Sequence, residues 1–119
     1  MTDWNLWLVQ LVRTLRNLAS EPEAQKAFLA SLGTAGSNDE LALEFDDIYR
    51  PLVHQFAQLN VPHSTVDKLA RLDGLLDEMS GPQHHELWEP DALQTSERWA
   101  EVRRLAADVV SDLDGIMNV

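Results

Sequence analysis

"WAEVRRLAADVVSDLDGI", residues 99–116, places apolar side chains at Trp99, Val102, Ala106, Val109, Leu113 and Ile116. The steps alternate three and four without interruption, the spacing that gathers side chains on one face of an α-helix and, sustained, forms a heptad seam. A half-buried strand would instead alternate at every second residue, which this stretch does not. The same periodicity recurs upstream. Trp4, Leu8, Leu11, Leu15 and Leu18 share one helical face, widened by Trp7 and Val12. Leu41, Phe45, Ile48 and Leu52 form another stripe, and Leu69, Leu72, Leu76 and Met79 a third. No segment alternates in the β manner for more than a few positions. The fold class expected is all-α: an antiparallel bundle of about four long amphipathic helices plus one short helix, in one domain spanning 1–119.

Punctuation between the stripes supports that reading. "SEPE", residues 20–23, predicts a short second helix to about Leu32, with Ser20 as N-cap and Glu23 reaching back as in a capping box. "GTAGS", residues 33–37, is the clearest turn, and Ser37 with Glu40 repeats the capping-box spacing. Pro51 lacks an N–H and crowds the Asp47 carbonyl, which predicts a kink or break over 48–51. Ser64 with Asp67 is the candidate cap of the next helix, and Asp91 with Gln94 that of the last.

Composition restricts function more than it reveals it. With 119 residues, 45% hydrophobic and 24% charged, the chain fits one compact domain. Its charge is unusual: 20 acidic residues against 9 basic give −11. Such a field repels phosphate backbones and anionic lipid and attracts cationic surfaces, so the expected partner is a basic protein, with no direct nucleic acid and no membrane. There is no cysteine, which excludes disulfides, thiolate metal sites and cysteine nucleophiles. The N-terminus carries Asp3, lacks the basic region of a signal peptide, and has its longest apolar run, 6–12, interrupted by Gln10; a cytoplasmic protein is expected.

Two groups of residues are candidates for function. On the helix of the Leu41–Leu52 stripe Glu40, Glu44 and Asp47 fall at i, i+4 and i+7, like charges on one face that a basic partner would relieve, while Asp46 can pair with Arg50. Between the last two stripes lies "SGPQHHELWEPD", residues 80–91, longer than an ordinary bundle connection and holding His84, His85, Glu86, Trp88 and Glu89. Trp4, Trp7 and Trp99 lie on stripes, whereas Trp88 lies off every one. It is either part of a plug, with Leu87, over one end of the bundle, or an exposed anchor for a partner; the second reading is adopted for the candidate site.

Other chemistry finds little support. His54, His63, His84 and His85 form neither H-E-x-x-H nor a Glu-x-x-His pair, and no metal or cofactor is expected. No serine stands in a nucleophile elbow, and residues 33–36 lack the lysine of a phosphate-binding loop. Glu44 with Asp47 (E-x-x-D) and Glu86 with Glu89 (E-x-x-E) resemble the metal-binding carboxylates of the all-α nucleotide pyrophosphohydrolases. That resemblance implies a Mg²⁺-dependent nucleotide hydrolase. Here the order of the two pairs is reversed, Glu89 directly precedes Pro90, and no Lys or Arg cluster is present to receive a triphosphate. In class, size and charge the chain is similar to the acidic helical immunity proteins of nuclease bacteriocins, without their motifs. The leading expectation is therefore a small acidic binding protein of the bacterial antitoxin or immunity kind, or an adaptor. The alternatives are the hydrolase and a homo-oligomeric domain, possible as a homodimer through its heptads.

Overall fold

The computed structural model describes residues 2–33 and 37–117. Four long helices carry the four stripes: α1 (Trp4–Ala19), α3 (Asp39–Leu52), α4 (His63–Glu78) and α6 (Glu97–Met117). Two shorter helices, α2 (Pro22–Ser31) and α5 (Ala92–Thr95), and two 3₁₀ segments, Val53–Gln55 and Pro82–Trp88, complete the described elements. The all-α expectation is met, with one more short helix than the periodicity announced.

Polar pairs between helices fix their directions. Lys68 and Thr65, near the start of α4, reach Asp112 near the end of α6, at 2.9 and 3.1 Å, whereas Glu78 at the end of α4 meets Arg98 at the start of α6. Arg16 pairs with Asp114 while Arg103 donates to the Ser20 carbonyl, so α1 also opposes α6. Arg50 bonds Asp73, and Ala42 lies across from Ser80, so α3 opposes α4. The bundle is therefore antiparallel, up-down-up-down. α2, the Pro82–Trp88 segment and α5 gather at the end where α1 and α4 finish and α3 and α6 begin.

The stripes meet in a single buried cluster. Trp99, Val102, Ala106, Val109 and Leu113 are each 0% exposed, so the cleanest heptad faces its own chain. Burying each large side chain among them contributes roughly 1.5–3 kcal/mol. On α3 the inward row is Leu41, Phe45, Tyr49 and Leu52, with Ile48 only half-buried. Among the described residues no helix is long and apolar enough to cross a membrane.

Several helix boundaries differ from those read in the sequence. Ser20 is the C-terminal cap of α1, its hydroxyl donating to the Arg16 carbonyl, and α2 starts after Glu21 with no side-chain cap. The Ser20 hydroxyl is used as a donor to α1, and because the N-cap position of α2 falls at Glu21 it does not take the accepting role of a capping box. Residues 34–36 of the expected turn lie outside the described residues; Gly33 enters it at φ +70°. Ser37 accepts from the Asp39 N–H at 3.2 Å, a bond two residues on rather than the expected three, and Asn38 occupies the cap position. Pro51 does not break α3 where expected. Helical backbone continues to Leu52, and the Val53 N–H still reaches the Tyr49 carbonyl before the chain tightens into Val53–Gln55. Near a helix end one missing bond costs little, and the break falls after the proline. α4 begins at His63 without help from Ser64, and Thr65 and Val66 donate to the Pro62 carbonyl. Asp91 precedes only the four-residue α5; the last helix starts at Glu97, where the Ser96 hydroxyl accepts from the Arg98 N–H at 3.1 Å.

Candidate functional site

The connection between α4 and α6 is held by four bonds from three side chains to backbone carbonyls. Gly81, at φ +113°, lets the chain turn sharply out of α4, a conformation that side-chain-bearing residues rarely adopt. Pro82 then opens the 3₁₀ segment, whose backbone leaves helical geometry at His84. Trp88 Nε1 donates to the Met79 carbonyl at 2.9 Å, and its ring stands edge-on to Trp99 at 5.3 Å and 86°. Trp99 Nε1 donates to the Leu87 carbonyl at 2.6 Å. Asn38, fully buried at the start of α3, donates through Nδ2 to the carbonyls of Leu87 and Glu89, at 3.3 and 2.7 Å.

These bonds correct the expectation of an unpacked, exposed Trp88. It is half-buried against the core together with Leu87, as in the plug reading. The length of the connection suggested a plug, but its fastenings could not be read, because Met79, Trp99 and Asn38, which bonds the carbonyls on either side of Trp88, lie on other elements.

One edge of Trp88 remains at the surface. With His85 it lines a hollow of about 440 Å³, completed by Asp39, Ala42 and Leu43 of α3 and by Ser80 and Gly81. Ala42, Leu43 and Ser80 also border a second hollow of about 230 Å³, which runs on between α3 and α4 past Asp46 and Asp77 to Arg50 and Asp73. The two form one furrow. Leu43 is 51% exposed in its wall. Helical spacing puts Asp39 and Asp46 on the α4 side of Leu43 and Glu40, Glu44 and Asp47 on the other, so an exposed leucine lies between two acidic rows.

The structure thus divides the residues singled out from the sequence. His85 and Trp88 line the furrow. Glu40, Glu44 and Asp47 share the flank beyond Leu43, while His84, Glu86 and Glu89 do not line it. His85 lies 3.9 Å from Glu86, at the limit of an ion pair. Glu44 is half-buried, and its carboxyl is raised above the usual range, first by burial and then by Glu40 and Asp47. Asp46 pairs with Arg50 at 2.7 Å, as its i, i+4 position predicts. Leu43, Asp39 and Asp77 were missed, although an apolar residue standing off the buried stripe was a legible signal.

Charge is unevenly distributed. Residues 37–91 hold twelve acidic side chains and only Arg50, Lys68 and Arg71 as basic ones, and so carry −9 of the chain's −11. Arg50 and Lys68 are engaged by Asp46, Asp73 and Asp112. Among the described residues, Asp39, Glu40, Glu44, Asp47, Asp77 and Glu89 have no ion-pair partner. Nor, among the described residues, do three or more His, Asp or Glu side chains converge as a metal site would require. The E-x-x-D and E-x-x-E pairs therefore do not assemble the carboxylate cluster of a metal-dependent hydrolase. Comparison with family models, with curated proteins and with solved structures gives no match.

Proposed function

We propose that this protein is an acidic binding module that captures a basic protein partner, as a neutraliser of the antitoxin or immunity kind or as an adaptor. The observation that carries this reading is the charge of −9 confined to residues 37–91. Folding uses little of it, since most carboxylates of α3 have no ion-pair partner among the described residues. A concentrated field of one sign raises the encounter rate with a basic protein and disfavours other partners. Half-buried Glu44, held beside two like charges, is destabilised in the free protein, and a cation placed there would relieve it.

The test is affinity capture with the wild-type protein and with the combined variant Glu40→Lys, Glu44→Lys, Asp47→Lys. A basic protein should be retained by the wild type at low ionic strength, released as salt is raised, and not retained by the variant. Capture that survives both salt and charge reversal would refute the reading. Magnesium-dependent release of pyrophosphate from nucleotides would replace it with the hydrolase. Self-association through the α6 heptad would require the bundle to open, because that stripe is internal.

A further inference from the structure

We propose that the furrow between α3 and α4 is a docking groove for a cationic amphipathic helix of the partner, one that sets an apolar side chain on Leu43 and Trp88 and arginines against Asp39 and Asp77. The proposal rests on the basic-partner reading and gives it a place and a chemistry. Three observations carry it.

The first is the furrow's composition. Its upper part offers apolar surface from Ala42, the exposed Leu43 and the free edge of Trp88, with acids at its rims. Exposed apolar surface ringed by one sign of charge suits a partner that carries the opposite sign around an apolar stripe.

The second is Arg50. At the lower end of the furrow its guanidinium lies between Asp46 and Asp73 and over the Tyr49 ring, 5.5 Å from the centroid. The furrow thus already holds one arginine between a carboxylate of α3 and a carboxylate of α4. Further up, Asp39 of α3 borders the first hollow and Asp77 of α4 the second, each without a cation of its own among the described residues.

The third is length and support. From Asp39 to Arg50 the furrow follows twelve residues of α3, about 16 Å, the span of roughly three helical turns. Its upper wall is fixed in advance, since Trp88 is tied to Met79 and the segment that carries it to Asn38 and Trp99. A pre-formed wall reduces the ordering cost of binding.

The experiment uses two synthetic helical peptides of about four turns. Both carry arginines on one face; one has leucines beside them, and the other has serines in their place. Binding to the full chain is followed by backbone amide shifts in NMR spectra. The leucine peptide should bind at least about tenfold more tightly than the serine peptide. Its shifts should cluster over residues 39–46 and 76–88, and Leu43→Lys should weaken it by a similar factor without changing the thermal melt. Equal affinity of the two peptides, or shifts scattered over every acidic surface, would overturn the groove while leaving capture of a basic partner intact. Shifts at residues 39–46 that grow with protein concentration alone would make a second copy the occupant and also overturn it. Absence of salt-sensitive binding by either peptide, joined to failure of the capture test, would remove both.

Discussion

Trp88 and Trp99 stand edge to face at 5.3 Å, each indole N–H ending on a main-chain carbonyl of the connection or its root: Met79 for Trp88, Leu87 for Trp99. The pair joins the start of α6 to the end of α4 through a segment that has no stripe of its own. The long connection is a fitted cover whose outer edge forms one wall of a furrow.

Replacing the two tryptophans should therefore have graded effects. Trp99 is 0% exposed, so Trp99→Ala is expected to cost about 3–5 kcal/mol of folding stability. Trp88→Ala loses a half-buried ring, an aromatic pair and one hydrogen bond, and should cost about 2–3 kcal/mol, well above the small loss expected of an exposed loop residue. Urea unfolding of both variants beside wild type measures the difference. A cost for Trp88→Ala below about 1 kcal/mol would contradict the fitted cover.

Asn38 offers a sharper test, because its amide faces two carbonyl oxygens while its own Oδ1 has no partner among the described residues. Asn38→Asp puts a carboxylate where both neighbours are acceptors and should destabilise by about 2–4 kcal/mol near pH 7. Lowering the pH protonates that carboxyl, restores one donor, and should recover part of the loss. A pH-independent deficit would mean that the amide does not hold the connection as described.

Two native carboxylates should respond to pH in opposite senses. Glu44 is raised by burial and by Glu40 and Asp47, so folded chain holds its proton to higher pH than unfolded chain does. Stability therefore falls as pH rises from the ordinary carboxylate range through the raised value, and the penalty persists above it. Glu44→Gln should raise Tm by about 1–2 °C at neutral pH and make no difference in acid. Asp112 is held low by its bonds from Lys68 and Thr65; its contribution is complete above the ordinary range and is lost as pH falls through the depressed value. Asp112→Asn should lower Tm at neutral pH and converge with wild type in strong acid. Melting curves across pH decide both.

Arg103 fastens the short helices. Its guanidinium donates to the Ser20 carbonyl at 3.0 Å, to Gln25 Oε1 at 3.3 Å and to the Leu93 carbonyl at 2.9 Å, tying both α2 and α5 to α6. A lysine ammonium is a single point and cannot span three acceptors on different elements. Arg103→Lys should cost about 1–3 kcal/mol and speed amide exchange in α2 and α5 ahead of the four long helices. Uniform acceleration across the bundle would assign Arg103 to the global fold instead.

Much of the candidate surface was open to reading from the sequence, though not the part that closes it. Glu40, Glu44 and Asp47 share a helix face by spacing alone, and the strain on Glu44 follows from that spacing once α3 packs. The concentration of charge in 37–91 is a matter of counting. The fastening of the segment around Trp88 could not be read, since Asn38, which bonds Leu87 and Glu89, is about fifty residues away and Met79 belongs to another helix's stripe. Helix caps were misread for a related reason. Ser20, Ser64 and Asp91 have the right side chains at the right spacing, but Ser20 closes α1, Ser64 lies inside a helix that starts at His63, and Asp91 precedes only the short α5.

The sequence by itself determined the helices and their buried faces, because a 3.6-residue period is a local property and burial of one apolar stripe per helix follows from it. Trp99, Val102, Ala106, Val109 and Leu113 had to be covered, by their own chain or by a second copy, and the bundle covers them. Only the tertiary structure decided which helices adjoin, that α3 and α4 leave a furrow between them, and that Leu43 and Trp88 meet in it. Those outcomes depend on how four stripes and four carbonyl bonds are satisfied at once. Such a sum over distant residues leaves no trace in the spacing of any one segment.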